Sequence, residues 1–293
     1  MAEFDAISKH LIQTYPEDFA GFALNRENVE VLEVIDTQQS TVSASHADSL
    51  IRVRVDGQEA LVHNEFQTTD STDPPMPHRM AGYVGRAIER HRLPVYSSVI
   101  YLRPDVGRRD PGRYLQSHPK HRVLVQYRVI RLRKLDGQRV LDAGHDGLIP
   151  FTPLMKPPEG MAARAWLLHC LHTAHRRPMA PPAKADFLAG MSLLSGLVFA
   201  TETISDIILK EGIMDLMRES SFAQYLTRQG IEQCLRESIL AVLEVRFGLP
   251  ASNPYAERIA NVDDAQRLKT LHRAAVHVSN LDAFGELLDE GPG

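Results

Sequence analysis

Two strand-like runs on either side of a single tight-turn dipeptide constrain this chain more than any other feature. "SLIRVRV" (49–55) and "EALVHNEF" (59–66) flank Asp56-Gly57. Asp-Gly accepts the positive φ angles of a two-residue hairpin turn, so the runs are predicted to pair as antiparallel strands. Upstream, "VEVLEVID" (29–36) is β-branched and alternates, which predicts a third strand, and residues 3 to 24 carry Phe4, Ile7, Leu11 and Ile12 at helical spacing. Pro16 should break that helix in two. Downstream, Pro77 opens a helix to about residue 91, with Met80, Tyr83, Val84, Ala87 and Ile88 forming its apolar stripe. "VYSSVIYL" (95–102) and "RVLVQYRVIRL" (122–132) are predicted strands joined by a basic loop, and the Pro-rich "LIPFTPLMKPPEGM" closes this part.

From residue 161 the pattern is helical, with Gly248 as a C-terminal stop and short helices over "DDAQRLKTLHRAAVHV" and "LDAFGELLDE". The expected fold class is therefore α/β: a central mixed sheet flanked by helices, followed by an α-helical C-terminal region. The expected division is a core over 1–158, a helical extension over 159–214 and a small helical domain over 215–293. At 293 residues the chain is long enough for one large domain with an appendage. No apolar run is long enough for a membrane span, and "MAEFDAISKH" lacks the basic start of a signal peptide, so a cytoplasmic location is expected. Two cysteines, Cys170 and Cys234, with no Cys-x-x-Cys pair, point to reduced thiols and away from zinc ribbons. "HCLHTAH" sets His169, His172 and His175 three apart; the first and last drift round the helix, so packed or surface histidines are the expectation rather than a metal site. No phosphate-binding Gly loop and no nucleophile elbow is present, which argues against ATP, NAD and acyl-transfer chemistry.

The chemistry-bearing feature is a carboxylate at the end of a predicted buried strand. The hairpin should bring Glu65 to the same sheet edge as Asp48. Two carboxylates and a main-chain carbonyl make a hard-cation site suited to Mg²⁺, which could activate water at a phosphate. Gln67 shares Glu65's face of the strand and could hold that water or a phosphate oxygen. The competing explanation is a solvated edge charge or the partner of a nearby arginine. The net charge is −4, yet between Met76 and Arg139 there are fifteen cations against four acids, about +11. Such an arginine-rich block suits phosphate-backbone contact, and the alternative is a solvated face paired with acidic helices. Arg79, Arg86 and Arg90 lie along one side of the helix that follows the carboxylates.

"ADSLIRVRVDGQEALVHNEFQTTDSTDPPMPHRMAGYVGRAI" resembles the core of the PD-(D/E)XK nuclease superfamily and, more narrowly, the Rpn family of recombination-promoting nucleases and transposase-like proteins. Asp48, "EFQ" at 65–67, and "MPHRM" with Arg79 and Tyr83 carry the resemblance, which covers roughly residues 5 to 156. "LIPFTPLMK" is similar to a closing element of that family, and "GIEQCLRESILAVLEVRFGLP" to a small helical domain of unknown function that follows such cores. The resemblance implies a restriction-endonuclease-like core, with Asp48, Glu65 and the Phe66 carbonyl holding Mg²⁺ (Mn²⁺ as substitute). Gln67 would stand where the superfamily has lysine, a substitution usual in the narrower family. Arg79 and Arg86 would contact substrate phosphate, and Asp5 on the first helix is a further candidate ligand. The implied activity is metal-dependent DNA endonuclease cleavage in recombination or DNA mobility. A glutamine orients without charge, so a catalytically decayed core serving DNA binding or protein interaction is the alternative. Expected partners are DNA and, through the C-terminal helices, further copies of the chain, with no membrane.

Overall fold

In the computed structural model the described residues are 2–27, 29–35, 49–210, 212–213, 220–249, 253–262 and 264–289, with backbone alone at 2–6, 221–223 and 225–226. The chain divides into two compact units, Met1–Ser220 and Ser221–Gly293.

The first unit is α/β. Helices α1 (Ala2–Thr14) and α2 (Pro16–Leu24) meet at Pro16, which starts α2 because the first turn needs no N–H from it. Strands β1 (Glu30–Ile35), β2 (Ser49–Val55) and β3 (Gln58–Gln67) form an antiparallel meander. Asp56 and Gly57 both take positive φ, 51° and 81°, as a type I′ turn requires, and Val55 pairs with Gln58. Helix α3 (Met76–His91) then crosses to β4 (Val95–Tyr101), parallel to β3, and β7 (Arg128–Arg131) adds in parallel beyond it. The five-stranded order is β1-β2-β3-β4-β7, a mixed sheet with flanking helices, as expected.

Period-two alternation divides β3 between two cores. Phe66 faces Phe19 of α2 and Phe151, with ring centroids 6.2 and 5.9 Å away. On the other face Met76, Met80 and Tyr83 of α3 pack with Val99, Tyr101 and Tyr127. The register aligns Gln67, Tyr101 and Arg131, so the three parallel strands end at one edge.

The predicted strand over 122–132 and the basic loop before it are corrected by the structure. Residues 113–126 form a separate two-stranded ribbon, β5 (Arg113–His118) and β6 (His121–Gln126), and only β7 joins the main sheet. The break falls at Tyr127, whose N–H donates to Gly112 O (2.9 Å) and whose hydroxyl donates to Asp110 (2.7 Å). Helix α4 (Gly137–Ala143), capped by Asp136, was also not anticipated. It leads to a 3₁₀ turn, Ile149–Leu154, whose residues are all buried. Helices α5 (Ala163–Arg176), α6 (Pro181–Ser195) and α7 (Thr201–Lys210) pack over it, around Trp166, Leu171 and Phe187. Cys170 lies buried there, and burial pushes its thiol up to about 12.

The second unit holds α8 (Ser221–Phe247), α9 (Pro254–Ala260), α10 (Ala265–His277) and α11 (Leu281–Asp289) around Ile239, Leu243, Leu268, Leu271 and Phe284. Gly248 ends α8 at φ 67°, its N–H donating to Glu244 O (2.8 Å), as the sequence predicts. Asn253 and Asp264 cap α9 and α10. Cys234 is exposed on α8. No helix among the described residues is long and apolar enough to cross a membrane.

Gly107 is the glycine on which the sheet edge depends. It sits at φ 70°, and a Cβ there would lie 2.3 Å from the Tyr101 ring. Gly107→Ala is therefore expected to cost about 2–4 kcal/mol, from the positive φ and the overpacking together, read as a lower urea midpoint. A pH effect follows from the same corner. Burial, then hydrogen bonding to Asp110, raises the Tyr101 and Tyr127 phenols above their ordinary 10.0. The stability they contribute is complete below pH 10.0 and is lost as pH rises above it. Wild type should lose more stability in alkali than Tyr127→Phe, compared by urea titration at about pH 9 and pH 11.

Candidate active site at the carboxyl edge of the sheet

Glu65 lies two residues from the end of β3 and has no solvent exposure. A buried carboxylate needs compensation, and α3 supplies it. Pro77 and the first turn of α3 start the helix above the strand end, which brings Arg79 onto Glu65: Arg79 Nη2 bonds Glu65 Oε1 closely. Gln67 Nε2 donates to the same oxygen (3.0 Å). Tyr83, one turn beyond, accepts from Arg79 Nη2 at its hydroxyl (3.2 Å), and Ser71 Oγ accepts from Arg79 Nη1 (3.4 Å). Both the strand alternation and the helical i, i+4 spacing of Arg79 and Tyr83 thus converge on one carboxylate.

The second oxygen differs. Glu65 Oε2 is buried and makes no hydrogen bond among the described residues, and neither does His63 Nε2, 3.8 Å from it. His63 is 1% exposed; its Nδ1 lies 3.2 Å from Ser97 Oγ and its ring meets Tyr83 edge-on at 5.4 Å. Sequence reasoning passed over His63. The same alternation that put Gln67 beside Glu65 places His63 there too, two residues earlier.

The predicted residues are distributed as follows. Glu65, Gln67 and Arg79 are brought together. Arg86 is exposed on α3 with its guanidinium over the Tyr83 ring (5.2 Å). The main-chain groups of Leu61 and Gln67 bond toward β4, through Pro94 O (2.8 Å) and Leu102 N (3.0 Å), so alternation turns the Phe66 carbonyl toward the β2 side. Asp48 lies outside the described residues; its chain neighbour Ser49 pairs with Asn64, the neighbour of Glu65. Asp5 falls on α1, where only the backbone is described. Among the described residues no three of His, Cys, Asp and Glu gather as a metal cluster. Glu65 Oε2 and the Phe66 carbonyl are oxygen donors of the kind Mg²⁺ takes, and a cation bound there would need a further carboxylate.

A basic loop covers the strand ends. Asp70 accepts from Gly107 N (2.8 Å), while Arg131 Nε donates to Gly107 O (2.8 Å). Asp110 accepts from Tyr101 (2.6 Å), Tyr127 (2.7 Å) and Gly112 N (2.9 Å). The basic block is accordingly of two kinds. Arg79 and Arg131 are structural here, as is Arg128, which donates to Phe22 O and Ala23 O (2.7 and 2.9 Å). Arg103, Arg109, Arg113, Lys120 and Arg122 form no ion pair among the described residues.

Comparison with known protein families, curated proteins and solved structures finds no match to this chain.

Removing either member of the pair is expected to act asymmetrically. Arg79→Met strands a fully buried carboxylate and should cost about 2–4 kcal/mol, less than a wholly buried pair because Arg79 retains some exposure. Glu65→Gln removes the buried charge and still accepts a bond, so it should cost no more than about 1 kcal/mol. Urea denaturation of the two variants checks the order.

Proposed function

We propose that the chain is a metal-dependent DNA endonuclease that hydrolyses phosphodiester bonds, similar to PD-(D/E)XK nucleases and more narrowly to the Rpn family. Its setting would be the cytoplasm, in recombination or DNA mobility. The observation that carries this is Glu65: a solvent-free carboxylate at the carboxyl end of a parallel strand, with one oxygen satisfied and the other lacking a hydrogen bond among the described residues. Ligands in open α/β sheets bind at that end of the strands.

Glu65, Asp48 and the Phe66 carbonyl would hold Mg²⁺, with Mn²⁺ as a substitute. When bound, such an ion supplies a Lewis acid that activates water and neutralises charge at phosphate. The chain's own groups do the positioning. Arg79 and Gln67 fix Glu65 through one oxygen and so orient the other. Gln67 brings an amide, which orients a water or phosphate oxygen without adding charge. Arg103 and Arg109, on the loop over the strand ends, form no ion pair among the described residues and attract the substrate backbone.

A catalytically silent DNA-binding or protein-interaction core is the second reading. One observation favours it: Glu65 Oε1 already receives both Gln67 and Arg79, a cluster that is partly self-satisfied. Incubation of supercoiled plasmid with Mg²⁺ separates the two. The nuclease reading expects nicking by wild type, and a loss of at least about a hundredfold, near 2.7 kcal/mol of barrier, in Asp48→Ala and Glu65→Ala. Equal nicking by both variants sinks it. Calorimetry showing no Mg²⁺ or Mn²⁺ binding in the millimolar range selects the silent core instead. Association of copies through the C-terminal helices is read from the sedimenting mass, before and after deletion from Ser221.

A further inference from the structure

The β5–β6 ribbon is a surface that the proposed site does not use. Of its residues 113–126, all but Tyr114 and Val125 are exposed. Tyr114 meets His78 of α3 edge-on at 5.0 Å, so the ribbon is anchored by that face beside the helix that holds Glu65. The register pairs Arg113 with Gln126, Leu115 with Leu124 and Ser117 with Arg122. These pairs share the face opposite Tyr114 and Val125. The outer face therefore carries a cross-strand leucine pair, 46% and 48% exposed, with an arginine on either side of it along the ribbon. Pro119 and Lys120 make the tip, and Lys120 takes φ 64°, the left-handed position a type II turn requires after proline.

Charge decides what this face suits. No Asp or Glu occurs between Asp110 and Asp136. Arg113, Lys120 and Arg122 form no ion pair among the described residues. An acid-free ribbon with cations on either side of an apolar centre complements a surface that is anionic along its margins and offers some apolar contact between them. Duplex DNA has that pattern: phosphates line each groove, and the thymine methyl groups lie among the hydrogen-bonding base edges of the major-groove floor. A two-stranded ribbon is narrow enough to enter.

We infer that the β5–β6 ribbon is a groove-binding arm for duplex DNA, with Arg113, Lys120 and Arg122 on the phosphates and the Leu115–Leu124 pair on the bases. This rests on the reading of DNA as substrate and adds the element that grips it.

The test is fluorescence anisotropy of a labelled duplex with the full chain, in EDTA so that no strand is cut, over a series of salt concentrations. In Arg113→Gln/Lys120→Gln/Arg122→Gln the slope of log affinity against log salt should become shallower by about 2–3, near 0.9 per lost phosphate contact. Leu115→Ser/Leu124→Ser should bind about tenfold more weakly at every salt concentration with the slope unchanged. Both variants alter exposed positions, and unchanged circular dichroism and melting temperature confirm that they fold. Wild-type affinity and slope in both variants would overturn the inference, as would failure of the wild type to bind DNA. A leucine variant that keeps its DNA affinity but lowers the sedimenting mass of the free protein assigns the face to a second copy and also overturns it. Ribbon variants that lose binding while wild type leaves plasmid uncut uphold the arm and remove the nuclease. Cutting by wild type, with ribbon variants binding and cutting equally well, does the reverse.

Discussion

A carboxylate with no access to water, set into the central strand of a sheet, must be answered from within the protein. Arg79 answers Glu65, and much of the first unit's arrangement follows from that bond. Arg79 reaches the strand end because α3 follows β3 after a short connection and its first turns lie over the end of the strand. The crossover in turn places β4 parallel to β3 and sends the strands' carboxyl ends to one edge. Gln67 and Tyr83 extend the same cluster, and their spacings, two along the strand from Glu65 and four along the helix from Arg79, are those that each element's geometry allows. The unequal treatment of the two Glu65 oxygens gives the cluster chemical direction: one is held, and the other faces His63.

The legible parts of the fold were those with local rules behind them. Asp56-Gly57 specifies its turn by backbone sterics, and the stripe of α3 specifies a helix through side-chain spacing. The part that was misread, 103–132, is held by long-range polar bonds. β-Branched and apolar residues recur through the whole of "RVLVQYRVIRL" with no glycine or proline between them, so no local signal marks Tyr127 as the point where one strand ends and another sheet begins. The break depends on Asp110 and Gly112, more than a dozen residues earlier. β5 was hidden for a related reason: its exposed residues show no inside and outside to alternate between.

The candidate site divides in the same way. Gln67 followed from strand periodicity, and His63 would have followed had the periodicity been read backwards from Glu65 as well as forwards. The bond from Arg79 was present in the sequence only as a competing explanation for the charge, because a helix's landing point on a strand is a tertiary fact. Likewise, a count of cations between Met76 and Arg139 could not distinguish Arg128 and Arg131, engaged with main-chain carbonyls, from the cations of the ribbon.

Tyr127 has one consequence beyond closing the sheet. Its amide holds Gly112, at the root of β5, while its hydroxyl holds Asp110, which also receives Tyr101 from the end of β4. The root of the ribbon and the carboxyl end of β4 are thus tied through one side chain, Asp110, so its loss would release both together.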